Sequence, residues 1–338
     1  MERRQLGRTG VSVSPLCLGT MMFGPWGNQD ENDSIRIIHR ALDAGINFVD
    51  TADVYSAGES ERIVGKALKG RRDDVVLATK FFMPMGDDSN EGGGSRRWIM
   101  RSVEDSLRRL GTDHIDLYQV HRPSPVTDVE ETLGALTDLV RQGKVRSIGS
   151  SSYAASQIVE AQWTARERHL QRFVTEQPPY SILVRGVEAD VLPTARRHGM
   201  GILSYSPLAG GWLSGRWRKD SVSAPTSAAR PPARFDMSSP ANQQKLEAVE
   251  ELAQLAEQAG MTLIDLAIAF VINHPAVTSA IIGPRTMEQL ESQLTGADVS
   301  LTHDVLDRID QIVAPGVTIN PDDNSYGEAE LAPERRRR

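Results

Sequence analysis

Cysteine is all but missing from this 338-residue chain. Cys17 is the only one, so no disulfide can form within it. A reducing compartment is the simplest match, and Cys17, set between Leu16 and Leu18, reads as a small buried residue. Long apolar runs are missing too. No stretch approaches the roughly 18 residues of a membrane span, and the opening Met1–Leu6 lacks the apolar centre of a secretory signal. A soluble, cytoplasmic protein is therefore expected. Positive charge is in deficit, with 38 Lys and Arg against 45 Asp and Glu and a net charge of −7. That argues against nucleic acid or an anionic membrane as the main partner. The basic run Arg335–Arg338 reads as a solvated tail. Gly-x-Gly-x-x-Gly, Gly-x-Ser-x-Gly, His-x-x-x-His and cysteine clusters are absent as well. A Rossmann domain, a serine-hydrolase elbow and a metal centre are accordingly not expected.

What is present is a strict alternation of strand-like and helix-like segments. Strands are expected over 16–18, 46–49, 75–79, 115–120, 145–148, 173–176, 201–205 and 279–282. Helices are expected to follow them over 32–44, 59–69, 95–110, 129–142, 154–168, 187–198, 262–273 and 286–295. In the first helix Ile35, Ile38, Ala41 and Leu42 share one face, and Gly45 is placed to stop it. Alternation of this kind means a parallel sheet with crossover helices. Eight units imply an α/β chain folded as a closed (β/α)8, or TIM, barrel. The opening 4–14 reads as an N-terminal β-hairpin, and 241–259 as a helix outside the eightfold plan. The domain expectation is one barrel over 1–313, with 314–338 as a tail or a flap over the mouth. Two connections, 81–94 and 206–240, are long for a barrel and leave its C-terminal face. Within the second, 220–233 reads equally as a disordered insertion or a strap. Asp87-Asp88 and Asp322-Asp323 read as solvated loop charges.

Four residues at the ends of successive strands carry chemistry: Asp50 after Ile46–Val49, Tyr55 five positions on, Lys80 after Val75–Thr79, and His121 after His114–Val120. Strand ends of such a barrel converge on one face. A carboxylate, a phenol, an ammonium and an imidazole meeting there make a proton-transfer site. A phenol has a pKa of about 10, and a nearby ammonium stabilises its phenolate. Lys80 is therefore expected to tune Tyr55, and Asp50 to hold Lys80. Taken alone, each has a plainer reading: Tyr55 as a packed loop residue, Lys80 as an exposed strand-end charge. The four together do not.

The motifs Asp50-Thr51-Ala52-Asp53-Val54-Tyr55, Gly58-Glu59-Ser60-Glu61, Thr79-Lys80 and Gln119-Val120-His121-Arg122-Pro123, in this order, resemble the aldo-keto reductase family over nearly the whole chain. The resemblance implies a (β/α)8 barrel and nicotinamide-dependent carbonyl reduction, usually with NADPH/NADP+. Tyr55 would be the general acid, tuned by Lys80 and Asp50, with His121 orienting the carbonyl. It also implies that Ser151 and Gln177 bind the carboxamide, with Ser152 where Asn is usual. Tyr205 would stack on the nicotinamide, and Ser206 and Leu208 would contact the pyrophosphate. Gly19, Thr20, Met21, Asp50, Gly210, Gly283 and Gln289 complete the expected cofactor set, and Gln293 stands where Asn is usual for adenine. Backbone amides opening the last helix suit phosphate, and Arg285 there suits a 2′-phosphate. Ser151 reads equally as a cap for helix 154–168, and Arg285 as a surface charge.

Met22, Phe23 and Trp26, with Tyr55, His121 and 81–94, are expected to line a pocket for flat or apolar carbonyls. The partner implied is a small-molecule carbonyl compound; monomer and homo-oligomer stay equally open. Two other readings are a cofactor-bearing redox sensor that regulates a partner, and a dedicated biosynthetic ketoreductase, for example of a deoxysugar.

Overall fold

The computed structural model describes residues 1–219 and 232–324. The expectations for 220–231, and for the end of the chain from 325, fall outside the described residues. Eight strands close a barrel: β3 (Leu16–Gly19), β4 (Phe48–Asp50), β5 (Val76–Phe81), β6 (Ile115–Val120), β7 (Val145–Ser151), β8 (Thr175–Gln177), β9 (Gly201–Tyr205) and β10 (Val277–Ile282). Every neighbouring pair is parallel, and β10 closes on β3. The expected (β/α)8 barrel is the fold found. Around it run α1 (Glu31–Asp43), α2 (Glu59–Ala67), α3 (Arg96–Leu110), α4 (Val129–Arg141), α5 (Ala155–Glu167), α6 (Val191–Arg197), α8 (Leu263–Asn273) and α9 (Met287–Leu294), with α7 (Pro240–Gln258) and α10 (His303–Ile312) as additions. Short polar residues start several of them: Asp30, Ser95, Asp128, Thr262, Thr286 and Thr302 each accept a bond from a first-turn backbone N–H. Such caps are worth about 1 kcal/mol apiece. No single helix among the described residues is long and apolar enough to cross a membrane.

Two apolar cores result. The larger lies between the barrel wall and its helices and includes Ile37, Val49, Leu136 and Ile268. The smaller fills the barrel's lower interior with Leu6, Val13, Cys17, Phe48, Leu117 and Leu203. Leu6 and Val13 come from the hairpin, whose strands β1 (Arg4–Gln5) and β2 (Ser12–Val13) pair antiparallel beneath the barrel. The hairpin thus stoppers the lower end. Gly7 makes this fit: its φ is +55°, and an added Cβ would lie 2.3 Å from the Val174 carbonyl oxygen. Cys17 is fully buried in that core, as its neighbours suggested.

Differences from expectation are local. The strand expected at 173–176 is found at Thr175–Gln177. The helix expected at 187–198 begins only at Val191. Pro193 lacks an N–H and is tolerated only in a first turn, which sets that start. Helix α10 was not anticipated, although Thr302 as cap and Leu306, Ile309 and Val313 at helical spacing mark it; it packs against α7. Asp323 is not a solvated charge. It is buried and accepts from Lys245 at 2.6 Å and from Arg234 at 2.7 Å. Residues 314–324 lie along 183–185, through Arg185 N–H to the Val317 carbonyl at 3.0 Å and Ile319 N–H to that of Leu183 at 3.2 Å.

Candidate active site

Strand register brings the four chemistry-bearing residues to one place. Gly19 pairs with Asp50, Asp50 with Ala78, and Lys80 with Gln119. Asp50 closes β4, Lys80 sits near the top of β5, and His121 follows β6, its N–H held by the Phe81 carbonyl at 2.9 Å. Tyr55 arrives on a tight turn in which Ser56 and Ala57 take left-handed φ values of 50° and 53°. Strain of this kind is retained where surrounding structure over-determines it; here Asp53 N–H is tied to the Lys80 carbonyl at 3.1 Å.

Lys80 is fully buried. Its Nζ donates to Asp50 Oδ1, to the Thr51 carbonyl at 2.9 Å and to the Tyr55 hydroxyl at 3.1 Å. Burial alone would push the ammonium down, but Asp50 and Tyr55 together outweigh it and hold the group above the ordinary lysine range. Lys80 therefore stays charged. Tyr55 is pushed up by burial; Lys80 pulls it down and Asp50 pushes it up again. The net result is a phenol that keeps its proton at neutral pH while resting against a fixed cation. His121 is held well below the usual imidazole range by burial, Lys80 and Arg122, so it is neutral. Its Nδ1 is buried with no partner among the described residues, leaving Nε2 toward the open side. The Tyr55 and His121 rings meet edge-on, with centroids 5.8 Å apart.

These residues floor one end of a groove of about 940 Å³ that runs across the C-terminal face. Of the residues expected from sequence, Gly19, Met21, Met22, Asp50, Tyr55, His121, Ser151, Gln177, Tyr205, Ser206, Leu208, Gly210, Gly283, Arg285, Gln289 and Gln293 line it. Lys80 lies beneath, behind Tyr55. Trp26 stands beside Tyr55, with ring centroids 6.2 Å apart. Neither Trp26 nor any residue of 81–94 is among those lining the groove, contrary to expectation, and Phe23 and Thr20 lie elsewhere. Phe23 is wholly buried in the outer core, because the 22–28 loop turns its side chain inward, so it does not line the groove. Thr20 is also fully buried, its hydroxyl bonded to Ser60 and to the Asp50 carbonyl. It braces the strand end rather than facing the groove. Ser151 does not cap α5; its hydroxyl donates to the Gln177 carbonyl at 2.9 Å, and Ala154 holds the cap position.

Several contacts around the tetrad were not expected from the sequence. Gln119 and Gln177 each donate an amide N–H to Asp50 Oδ2 at 3.0 Å, so Asp50 is fixed from both sides. Glu176 accepts from the Ser150 hydroxyl at 2.5 Å and from Tyr153 N–H at 3.0 Å, pinning the turn in which Ser152 has φ +57°. Burial pushes the Glu176 carboxyl up to about 8. Behind Tyr55, Asp53 and Glu61 form a buried acidic pair linked to Ser102, Thr79 and Arg109. Asp53, Glu61, Thr79 and Gln119 stand in the motifs quoted above, which was their only signal; Glu176, Ser102 and Arg109 carried none. Arg122, Arg216, Trp217, Arg234 and Phe235 also line the groove.

The far end suits a dinucleotide. Arg285 precedes the capped start of α9, and its N–H is held by Gln289 Oε1 at 2.8 Å. Gln293 is buried, and its Oε1 has no partner among the described residues, an acceptor left for an exocyclic amine. At the near end, a Cβ on Gly19 would meet Ile281 Cγ2 at 2.6 Å, so only glycine leaves that wall in place. A second depression of about 700 Å³, between α2 and α3, lies on the outer wall. Most of its cations are paired, as in Lys66–Glu31 and Arg109–Glu61.

Comparison with known proteins agrees with this geometry. The family model "Aldo/keto reductase family" matches residues 15–314. The "Uncharacterized oxidoreductase YrpG" of Bacillus subtilis is 42% identical over 324 residues, covering 92% of this chain and 96% of its own. "Aldo-keto reductase YhdN" of the same organism is 37% identical, covering 88% and 89%. A "Probable voltage-gated potassium channel subunit beta" of Arabidopsis thaliana is 35% identical, covering 93% and 97%. With its barrel closed, its tetrad assembled and its length matched from 15 to 314, this chain belongs to the aldo/keto reductase family.

Proposed function

We propose that this protein is an NADPH-dependent reductase of aldehydes or ketones in which Tyr55 supplies the proton. The observation that carries this reading is the Lys80 Nζ to Tyr55 hydroxyl contact of 3.1 Å, made by a fully buried ammonium fixed on Asp50. The nicotinamide, when bound, supplies a hydride. The chain's own residues do the rest. His121, neutral and with Nε2 toward the groove, donates to the carbonyl oxygen and sets its place beside Tyr55. As negative charge develops on that oxygen, the phenolic proton passes to it, and Lys80 stabilises the phenolate left behind. Asp50, held by Gln119 and Gln177, keeps Lys80 aimed. Ser151, Gln177 and Tyr205 would hold the nicotinamide end. Ser206, Leu208, Gly283 and Arg285 would meet the phosphates, and Gln293 the adenine.

The test is NADPH oxidation with 4-nitrobenzaldehyde by the wild type and Tyr55→Phe. Removing a general acid costs roughly 10²- to 10⁴-fold in rate. The expected result is a Tyr55→Phe protein that binds NADPH normally and has lost turnover by that factor. Equal rates in the two proteins would remove Tyr55 from the chemistry. A second reading is favoured by the channel-subunit relative, similar over nearly its full length: a cofactor-binding regulatory subunit. Tight NADPH retention with no turnover on any aldehyde or ketone would place the protein there.

A further inference from the structure

Arg122 follows His121 directly, so the chain leaves β6 with two side chains in the same groove. Its Nη1 donates to the His121 carbonyl at 3.1 Å and to Ser152 Oγ at 2.6 Å. Ser152 Oγ in turn lies 3.3 Å from the Tyr205 hydroxyl. The Nη1 end of the guanidinium is therefore anchored just beyond β6 and β7. The other edge, Nε and Nη2, makes no hydrogen bond to any described residue. No carboxylate among the described residues lies within 4.0 Å of it. A guanidinium does not deprotonate in proteins, so a permanent, uncompensated cation stands beside the tetrad. Its charge is felt by both Tyr55 and His121. The carboxyl it also touches electrostatically, Glu176, is buried and mostly protonated at neutral pH, so it does not neutralise Arg122.

The cofactor does not account for this charge. A phosphorylated dinucleotide carries its negative charge on its pyrophosphate and ribose phosphate. Other cations line the groove where those groups are placed: Arg216 and Arg234 beyond β9, and Arg285 beyond β10. The nicotinamide ring at the tetrad end has no negative charge, and it becomes cationic on oxidation. A fixed cation there fits an anion on the other reactant. We infer that Arg122 selects carbonyl substrates that carry a carboxylate, receiving it on the free Nε–Nη2 edge while the carbonyl oxygen meets Tyr55 and His121. A guanidinium edge presents two parallel N–H donors, the geometry that a carboxylate accepts in a forked pair. Trp26, beside Tyr55, supplies an aromatic wall, so formylbenzoates fit both features. The inference rests on the reductase reading and narrows it to a substrate class.

The test compares kcat/KM for 3- and 4-formylbenzoate with that for their methyl esters, which keep the ring and aldehyde but lose the charge. The wild type is expected to prefer the better acid over its ester at least tenfold, and added salt should erode that preference. Arg122→Met should bring the ratio to within about threefold of unity. Arg122→Lys should fall between, since it keeps the charge without the fork. Circular dichroism and a thermal midpoint check that each variant is folded; if Arg122→Met is not, Arg122→Lys and the salt series decide. A wild type that turns over both forms without preference, or a preference that survives Arg122→Met, overturns the inference and leaves the reductase reading intact. If no aldehyde is reduced, calorimetry of isophthalate binding to the NADPH complex decides. Binding that disappears in Arg122→Met supports the anion site while the reductase reading fails, and no binding overturns both.

Discussion

Replacing Asp53 by Asn should stabilise this protein, and only above mildly acidic pH. Asp53 is completely buried behind the turn that carries Tyr55. One carboxyl oxygen accepts from the Ser102 hydroxyl at 3.1 Å; the other has no partner among the described residues. Burial and the neighbouring Glu61 push its pKa from 3.8 up to about 7. The unfolded chain releases this proton near pH 4, whereas the folded chain keeps it to near pH 7. Between those values the folded state binds more protons, so stability falls as pH rises. A displacement of about 3 pH units at about 1.4 kcal/mol each gives roughly 4 kcal/mol as the ceiling of that loss, complete above pH 7. Asparagine has the same shape and no charge to desolvate. Urea denaturation of wild type and Asp53→Asn should therefore give similar stabilities at pH 4.5 and a gap of roughly 2–4 kcal/mol in favour of the variant at pH 8. A gap independent of pH would mean that Asp53 does not titrate in this range and that the pair with Glu61 is not strained.

Lys80→Met should cost about 3–5 kcal/mol, because it strands a buried Asp50 carboxylate; the double variant with Asp50→Asn should recover part of that loss in the same denaturation series. Gly7→Ala should lower stability by at least 1–3 kcal/mol, since the alanine would need a φ of +55° and a Cβ 2.3 Å from a backbone oxygen; an unchanged urea midpoint would show that the hairpin does not seat as described. Asp323→Asn should strand the buried Lys245 ammonium, which burial already pulls below its ordinary range against the raising effect of Asp323. The unfolded chain then holds a proton that the folded chain has lost. The deficit should therefore shrink as pH is raised toward 10, read by chemical denaturation with limited proteolysis of the 314–324 segment.

The barrel was legible because its wall is built from short β-branched runs between helices with clear stop signals, and period and spacing survive any detail of packing. The tetrad was legible for a related reason: each member terminates or follows a strand, so chain order alone placed it on one face. The residues that orient it were not. Gln119 and Gln177 reach Asp50 across 69 and 127 positions of chain, a relation that exists only once the barrel closes. Glu176 looked like an ordinary strand residue until its burial was known. Phe23 and Thr20 were expected at the groove, but they lie in a loop after β3, and a loop's direction, unlike a strand's, is set by what it packs against. Asp323 misled in the same way: an acidic pair in a polar terminal stretch reads as solvated until a buried lysine is found beneath it.

The lone thiol of Cys17 offers a clock. It sits in the dry lower interior, fully buried, under the stopper formed by Leu6 and Val13, and burial pushes its pKa well above the usual thiol range. A thiol reagent therefore meets no thiolate while the barrel is closed. Modification must wait for the staves to part, so the labelling rate reports how often the whole barrel opens. Because the chain contains no other cysteine, that signal arises at one address and needs no engineering to read.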